Sequence, residues 1–229
     1  LDRIKAMRIN TVFLQAFSDF DGDGNANELY FPNPVLPVRD DLFNRVAWQL
    51  KTRAGVIVYA WMPVAAFDVE PAFFAAHGVR RVGDKGAVPA MVDYRRLSIF
   101  DPDSVELISS IYDSLAKHAH FAGILYHDDA YFSDYEDLHP KAVTFYKAQG
   151  IEFQSLAEIH ADELLMRQWT NLKIDAWHDF TDKMTERLQY FRPGIKSARN
   201  LYAAVVLDTD SEKWFAQSLN KAAEHYDHV

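Results

Sequence analysis

The chain of 229 residues is acidic, with a formal net charge of −9, and 49% of its residues are hydrophobic. That hydrophobic content supports a large buried core and excludes a disordered protein. The negative charge disfavours nucleic acid and anionic membranes as partners. Because the chain has no cysteine, disulfide frameworks, zinc–thiolate sites and thiol nucleophiles are excluded, although the cellular compartment stays open.

The two ends of the chain have the character of internal sequence. The chain opens in an amphipathic helical pattern, LDRIKAMRI, without an initiator methionine, and it stops at Val229 where another strand is predicted to begin. We therefore expect a piece cut from a longer protein. No stretch approaches the roughly 20 apolar residues of a membrane span, and no signal-peptide pattern is present.

In the first half of the chain, apolar runs alternate with helical patterns. The first predicted strand is NTVFLQAF (10–17), which the turn-rich segment DFDGDGNANE follows. DDLFNRVAWQLKTRAG predicts a helix that ends at Gly55, and GVIVYAWMPV (55–64) predicts the second strand. A helix from Asp101 to about Ala119 precedes the third predicted strand, FAGILYHDDA (121–130).

The second half continues the alternation. A long helical region is predicted from about Lys141 to Phe191 with a break near Gly150, then a fourth strand, KSARNLYAAVV (196–206), and a helix at 211–226. Apolar strands that alternate with helices predict a parallel sheet covered on both faces. We predict one α/β domain over residues 1–229, most of a (β/α) TIM-type barrel that is incomplete at the C-terminus of this chain. A doubly wound sheet is the alternative.

Polar and aromatic side chains stand at the end of every predicted strand. In both architectures the C-terminal strand ends carry the chemistry, so these side chains are expected to share one site. They are Gln15 and Asp19 after the first strand, Trp61 in the second, His127, Asp128 and Asp129 in the third, and Arg199 and Asn200 in the fourth.

The segment GILYHDDAYFSDYED (123–137) places five acids and a histidine within eleven residues. Close carboxylates repel, so a metal, a cationic ligand or protonation of one of them must offset the repulsion. His127, Asp128 and Asp129 directly follow an apolar strand, where a barrel places its catalytic groups. A divalent ion on these three residues is the competing interpretation, which the lack of a second histidine at ligand spacing weakens.

The segment DGDGNANE (21–28) begins like an EF-hand loop, with Asp21, Asp23 and Asn25 at the first, third and fifth positions. The sixth position holds Ala26 instead of glycine, and the twelfth holds Pro32 instead of glutamate. The pattern therefore favours a polar loop that forms one wall of a cleft over a calcium site.

Aromatic residues cluster near the predicted strand ends. Sugar rings stack on aromatic side chains, while acids and amides bind their hydroxyl groups. Together with the acidic residues, these aromatic residues favour a carbohydrate-binding groove, although any single aromatic residue is more typical of a core. The residues are Tyr30, Tyr59, Trp61, Tyr94, Tyr131, Tyr135 and Trp214.

Several segments occur in an order that resembles the C-terminal domain of the PgaB family, the periplasmic poly-β-1,6-N-acetyl-D-glucosamine deacetylases of biofilm export systems. The segments are NTVFLQAF with DGDG, RVAWQLKTRAGVIVYAWMPV, YRRLSIFD, GILYHDDAYFSDYED, SARNLYA and SEKWFAQS. The resemblance implies a (β/α)-barrel glycoside hydrolase domain with an electronegative groove, which in some members cuts the partly deacetylated polymer. The metal-dependent deacetylase lies in a separate N-terminal domain, so no metal or other cofactor is predicted here.

The resemblance also implies roles for individual residues. Asp128 and Asp129 match the family's acidic pair and are the predicted catalytic residues. One of them is expected to be held protonated by its neighbour as the general acid, and the other to act as base or nucleophile or to steady the substrate acetamido group. The predicted substrate-binding residues are His127, Asp134, Tyr94, Arg96, Trp61, Asn200 and Trp214, with no metal ligand.

The function implied by the resemblance is hydrolysis and binding of partially deacetylated poly-β-1,6-N-acetyl-D-glucosamine during biofilm export. The alternatives are a non-catalytic domain that guides the polymer to an outer-membrane pore, and a metal-dependent hydrolase. The expected partners are the polymer, the N-terminal deacetylase domain of the same protein and an outer-membrane export porin, but no nucleic acid. The expected location is the periplasm, in association with the outer membrane.

Overall fold

The computed structural model of the protein describes residues 1–83, 86–91 and 94–229. Its central sheet has four parallel strands in the order β1-β4-β7-β8. Neighbours in the sheet are thus consecutive parallel strands along the chain, as in a (β/α) barrel and unlike a doubly wound sheet. Within the described residues the sheet stays open. The bounds are β1 Thr11–Gln15, β4 Ile57–Met62, β7 Gly123–Tyr126 and β8 Lys196–Arg199.

Helices and two short hairpins connect these strands. The hairpins pair β2 (Phe17–Ser18) with β3 (Glu28–Leu29), and β5 (Arg80–Gly83) with β6 (Gly86–Pro89). The helices are α1 Asp2–Ala6, α2 Leu42–Gln49, α3 Pro71–His77, α4 Pro102–His118, α5 Pro140–Ala148, α6 Leu156–Ala161, α7 Glu163–Phe191, α8 Ala203–Leu207, α9 Glu212–Phe215 and α10 Leu219–His225. Among these described helices, none combines the length and apolarity needed to cross a membrane.

Capping interactions explain where α4 begins and where the helix that contains α2 ends. The Asp101 carboxylate accepts a hydrogen bond from the Asp103 N–H at 3.3 Å, and Pro102 occupies the first helical position of α4. A π-helical segment, Leu50–Ala54, continues α2 to Gly55, where a φ of +69° ends the helix as predicted.

The two faces of the sheet have different surroundings. The outer face, with Val58, Ala60 and Ile124, packs into the main core together with residues of α4 and α7. The inner face holds a small separate cluster around Tyr59 and Leu125. Helices therefore cover the outer face as predicted. The inner face is not covered by the described residues, since Phe13 is 47% and Ile57 is 50% exposed.

All four strands are shorter than predicted, and the third and fourth end several residues early. The third strand ends at Tyr126 instead of residue 130, so the His127–Asp129 segment lies in a turn. The fourth strand ends at Arg199, and Ala203–Leu207 forms helix α8 although its residues suit a strand. The Tyr202 N–H donates to the Gln217 side chain at 3.0 Å, a contact from outside the segment that helps to turn the chain there.

Other differences concern the end of the chain and an unpredicted hairpin. The helix predicted over 211–226 is interrupted at Ala216, whose φ is +47°, and it forms α9 and α10. The β5–β6 hairpin has no counterpart in the predicted elements. The strand expected near the end begins as a parallel bridge from His228 to Ala198.

Candidate functional site

The turn that follows β7 sets the geometry of the site. The His127 N–H donates to the Met62 carbonyl at 2.9 Å, and this bond extends the ladder between β4 and β7 past Tyr126. Arg199 of β8 donates to the His127 carbonyl at 3.1 Å and also to the Ala130 carbonyl. These hydrogen bonds hold the turn firmly. The adjacent carboxylates of Asp128 and Asp129 project from it into different surroundings.

A cleft of about 740 Å³ lies over these strand ends, and Asp128 faces it. The loops after β1, β4, β7 and β8 all contribute to its walls, as expected for a barrel-type site. Two of its aromatic side chains, Tyr202 and Phe215, stack with ring centroids 4.5 Å apart. The lining residues are Gly22, Asp23, Gly24, Tyr94, Asp128, Tyr131, Ser133, Tyr202, Trp214 and Phe215.

Asp128 is an ionised hydrogen-bond acceptor with 34% of its side chain exposed. The Tyr94 hydroxyl donates to Asp128 Oδ1 at 2.9 Å, and His127 Nδ1 lies 2.7 Å from the same oxygen. These two contacts, that of His127 foremost, lower the pKa of Asp128 against the opposing effect of burial. Burial and the Asp128 charge raise the pKa of Tyr94 well above its usual value, so its hydroxyl stays a donor.

His127 supplies a positive charge inside the acidic segment. Burial alone would lower the pKa of this histidine, but Asp128 and Asp129, at 2.7 and 3.7 Å from Nδ1, raise it to about 9. Its ring stacks on Trp61 with centroids 5.3 Å apart, a position that suits a cation over an indole. The imidazolium thus offsets part of the repulsion between the two carboxylates.

Asp129 is fully buried and serves the backbone of the neighbouring strand end. Its carboxylate accepts hydrogen bonds of 2.7 to 3.0 Å from the N–H groups of Val64, Ala65 and Ala66, just after β4. The two predicted catalytic residues are therefore separated by their surroundings, because a ligand in the cleft can reach Asp128 while Asp129 fixes the cleft wall.

The sequence matches the model of the family described as "Hypothetical glycosyl hydrolase family 13" over residues 1–229. The chain belongs to this glycosyl hydrolase family. The poly-beta-1,6-N-acetyl-D-glucosamine N-deacetylases of Escherichia coli strains K12 and O157:H7 are each 44% identical to it over 228 residues. The match covers 99% of the chain and 34% of each relative, so the chain spans about a third of their length.

Solved structures agree with this relationship. The PgaB (BpsB) glycoside hydrolase domain from Bordetella bronchiseptica is 46% identical with a TM-score of 0.90, over 99% of this chain and 65% of that one. The PgaB resemblance and the TIM-barrel type of fold are therefore confirmed. Alpha-L-fucosidase isoenzyme 2 from Paenibacillus thiaminolyticus, 14% identical with a TM-score of 0.60, covers 87% of this chain and 28% of its own, and it shares the fold.

Five of the seven predicted substrate-binding residues lie in or beside the cleft of this family member. Tyr94 and Trp214 line the cleft, and 49% of Trp214 is exposed. His127 and Trp61 form the layer beneath Asp128. Asn200 is half-buried where β8 ends, and its N–H donates to the Tyr126 carbonyl at 3.3 Å.

Arg96 and Asp134 lie away from the cleft lining. Arg96 is 1% exposed and donates to Glu136 Oε2 at 2.9 Å and to the Tyr131 carbonyl, so it supports the loop after β7 and does not face a ligand. The Asp134 carboxylate lies 3.8 Å from His160 Nε2 of α6. This contact joins the loop after β7 to α6. Both residues therefore act on the cleft through Ser133–Asp137.

The EF-hand-like segment forms a wall of the cleft, as its loop character predicted. The Asp19 carboxylate accepts the N–H groups of Gly22 and Gly24 at 2.8 and 3.1 Å, which accounts for its place beside Asp21 and Asp23. Gly24 has a φ of +87°, and a Cβ atom there would lie 2.6 Å from the Tyr94 ring. Glycine at this position lets the loop approach Tyr94 closely.

Two aromatic residues of the cleft were not named in the sequence analysis. Tyr202 lay within the overextended fourth strand, and Phe215 lay within a predicted helix, where a core position was the default expectation. The aromatic residues of SARNLYA and SEKWFAQS were the available signal. An aromatic residue in a sequence does not show whether its side chain lines a cleft or packs in the core. Their stacked pair forms only because the chain breaks into short helices.

Proposed function

We propose that this chain is the hydrolase domain of an endo-acting glycosidase for partially deacetylated poly-β-1,6-N-acetyl-D-glucosamine. The observation that carries the proposal is the ionised, accessible Asp128 at the centre of an aromatic cleft on the C-terminal strand ends. Family membership and the named relatives support it.

The cleft suits an amino sugar. The half-exposed Trp214 supplies a ring face for stacking of a pyranose ring, the partly buried Tyr202 adds aromatic surface, and Asp128 attracts an ammonium group. The positive charge of His127 offsets part of the negative charge of the carboxylates, and a cationic glucosamine unit would offset more of it. A deacetylated sugar is therefore favoured beside Asp128.

Asp128 acts in its ionised form. Its low pKa makes it unsuited to the predicted role of a protonated general acid, and suited to those of nucleophile, base or partner of the substrate acetamido group. His127 and Tyr94 orient the carboxylate through their contacts with one of its oxygens, Oδ1. The other carboxylate of the predicted pair, Asp129, keeps the loop after β4 in place.

One observation favours a second candidate function, a domain that holds the polymer without cutting it. A general acid must carry a proton, but among the residues that the structure describes, the carboxylates that line the cleft are those of Asp23 and Asp128. Asp23 is ion-paired with Arg95 at 2.8 Å, and Asp128 is ionised. A cleft of this kind binds cationic sugars even without turnover.

The family resemblance of the sequence also implies a setting for the chain. We propose a periplasmic protein at the outer membrane, in which this domain follows an N-terminal deacetylase domain and passes polymer to an export porin. Fractionation of cells, with the porin captured by cross-linking, tests this arrangement.

Mass spectrometry of the products tests the hydrolase proposal. The complete protein that carries this chain is incubated with partially deacetylated polymer in parallel reactions with and without chelator, which silences a metal-dependent deacetylase. Shorter oligosaccharides are expected from the wild type and from the surface control Asp40→Asn, while Asp128→Asn reduces their formation at least a hundredfold, on the order of a lost catalytic group.

Intact polymer that the wild type retains in a pull-down would replace the hydrolase by the binding function. Products that vanish with chelator would instead assign the cutting to a metal-dependent enzyme. Equal cutting by Asp128→Asn would remove Asp128 from the chemistry.

A further inference from the structure

A second cleft, which we call the rim cleft, lies beside the central one at the same end of the sheet. It has a volume of about 540 Å³, within the range of small-molecule sites. The loops after β1 and β4 and the first turns of α3 and α4 surround it. Its walls include Phe20, Glu28, Leu36, Asp68, Glu70 and Phe73.

The two clefts share a narrow wall. Arg95 Nη2 lies 2.8 Å from Asp23 Oδ2 and 2.8 Å from Asp68 Oδ1. Asp23 lines the central cleft and Asp68 lines the rim cleft, so one guanidinium group separates them. Its two carboxylate partners more than neutralise its charge, and a cationic chain therefore meets no electrostatic barrier at this wall.

The rim cleft combines an exposed aromatic ring with carboxylates that have spare acceptor capacity. Phe20 is 66% exposed at the cleft. Glu70 occupies the N-cap position of α3, but its side chain makes no capping hydrogen bond. Glu28 Oε2 is buried without a hydrogen-bond donor among the described residues, and its closest cation, Arg39 Nη1, is 3.8 Å away.

These groups match the chemistry of one amino sugar. Stacking on the apolar face of a sugar removes an exposed aromatic ring from water. The Glu28 side chain is 24% exposed and its paired cation is 3.8 Å away, so a closer ammonium group improves its charge compensation. The central cleft carries the same combination, an ionised carboxylate among aromatic rings. Repetition of this pattern across a shared wall suits a polymer with a repeating cationic unit.

We propose that the rim cleft is a second subsite for the same polymer, in which Phe20 stacks on a glucosamine ring while Glu28 and Glu70 bind its ammonium group. This inference rests on the proposed function, since the central cleft must hold the neighbouring part of the chain. A polymer long enough to cross Arg95 then binds more tightly than a short oligosaccharide.

Affinity as a function of chain length tests the subsite. Titration calorimetry on the complete protein uses thio-linked glucosamine oligosaccharides, which resist cutting, as a trisaccharide and as a long oligosaccharide. Phe20→Ala is expected to weaken the long ligand about tenfold, the equivalent of one stacking contact, and to leave the trisaccharide unchanged. Glu70→Gln is expected to weaken only the long ligand, and less so at high salt.

Matched controls and a second ligand sharpen the test. Tyr190→Ala and Glu224→Gln remove an exposed aromatic ring and an exposed acid outside both clefts, and they are expected to bind as the wild type does. A fully acetylated long oligosaccharide is expected to lack the gain, because it carries no ammonium group.

The results that would contradict the rim subsite differ from those that would contradict the proposed function. If Phe20→Ala and Glu70→Gln bind the long ligand as tightly as the wild type, the rim subsite is overturned while the proposed function stands. If the wild type binds neither ligand, the proposed function fails, and the subsite fails with it. Equal loss for the trisaccharide and the long ligand would place Phe20 in the central cleft and also overturn the subsite.

Discussion

A carboxylate that accepts backbone N–H groups in the protein interior contributes to stability, and Asp129 does so with three successive residues after β4. Asp129→Asn turns an amide NH₂ toward these donors and leaves at least one of them unpaired. We expect the free energy of unfolding to fall by about 3 kcal/mol. Asp128→Asn changes a side chain that is 34% exposed and is expected to cost less, about 1 kcal/mol. Chemical denaturation measures both losses, and equal values would contradict this division of roles.

The charge on His127 gives the site a defined pH dependence. Its pKa in the folded protein, about 9, lies above the unfolded value near 6.5. The resulting stabilisation is fully present below pH 6.5 and is lost as the pH rises through about 9. We expect the wild type to lose stability over that window relative to His127→Gln. An NMR titration of the imidazole checks the cause directly, and a midpoint near 6.5 would contradict it.

At the scale of elements, two buried cations hold the loop that carries the other three acids. Lys173 of α7 is fully buried and donates to the carbonyls of Ser133 and Glu136 at 2.8 and 2.9 Å. The Trp169 ring also contacts the ammonium group, with its centroid 3.5 Å from Nζ. Burial lowers the pKa of Lys173 to about 7 against the attraction of the nearby carboxylates. Arg96 holds the same loop through Glu136, whose pKa is lowered by the guanidinium despite burial.

Removal of the Lys173 ammonium is expected to loosen this loop. Lys173→Met fills the space but leaves the Ser133 and Glu136 carbonyls without their donor, which costs about 2 kcal/mol. Hydrogen exchange of peptides from residues 131–139 should accelerate, whereas Lys221→Met, which removes an exposed pair with Asp175, should leave it unchanged. Unchanged exchange in Lys173→Met would mean that Arg96 alone holds the loop.

Sequence periodicity predicted the strands and most helices of this chain because the parallel strands are short apolar runs between amphipathic helices. It extended the fourth strand too far, since β-branched Val205 and Val206 favour a strand by local propensity although they lie in helix α8. The contact that helps to turn the chain at Tyr202 comes from Gln217, fifteen residues away. Such tertiary contacts are invisible in a local pattern.

At the scale of the whole molecule, the rule that strand ends carry chemistry located the cleft correctly. It did not separate Asp128 from Asp129, because the partners of Asp129 come from Val64 and its neighbours on another strand end. It also could not show that Arg96 turns inward to Glu136. A residue type and its position along the chain predict the neighbourhood of a site, whereas the direction of each side chain depends on loops that meet only in the fold.

The open inner face of the sheet has a measurable consequence. Phe13 is 47% exposed and Ile57 is 50% exposed, on adjacent strands beside the small inner cluster. An apolar surface of this kind binds hydrophobic dyes and favours association. We expect the 229-residue chain to enhance dye fluorescence, and Phe13→Ser to lower that signal severalfold with a loss of less than about 1 kcal/mol in stability, because the ring is half-exposed.

A matched variant separates this face from other exposed aromatic surface. Trp48→Ser removes a more exposed ring, 59% accessible, from α2 on the outer side of the sheet. Dye binding depends on a continuous apolar surface, and Phe13 lies against the Tyr59 ring with centroids 5.3 Å apart. Trp48→Ser is therefore expected to leave most of the signal in place. If it reduced the fluorescence as much as Phe13→Ser, the dye would be reporting scattered exposed rings, and the inner face would not be the main apolar surface of the chain.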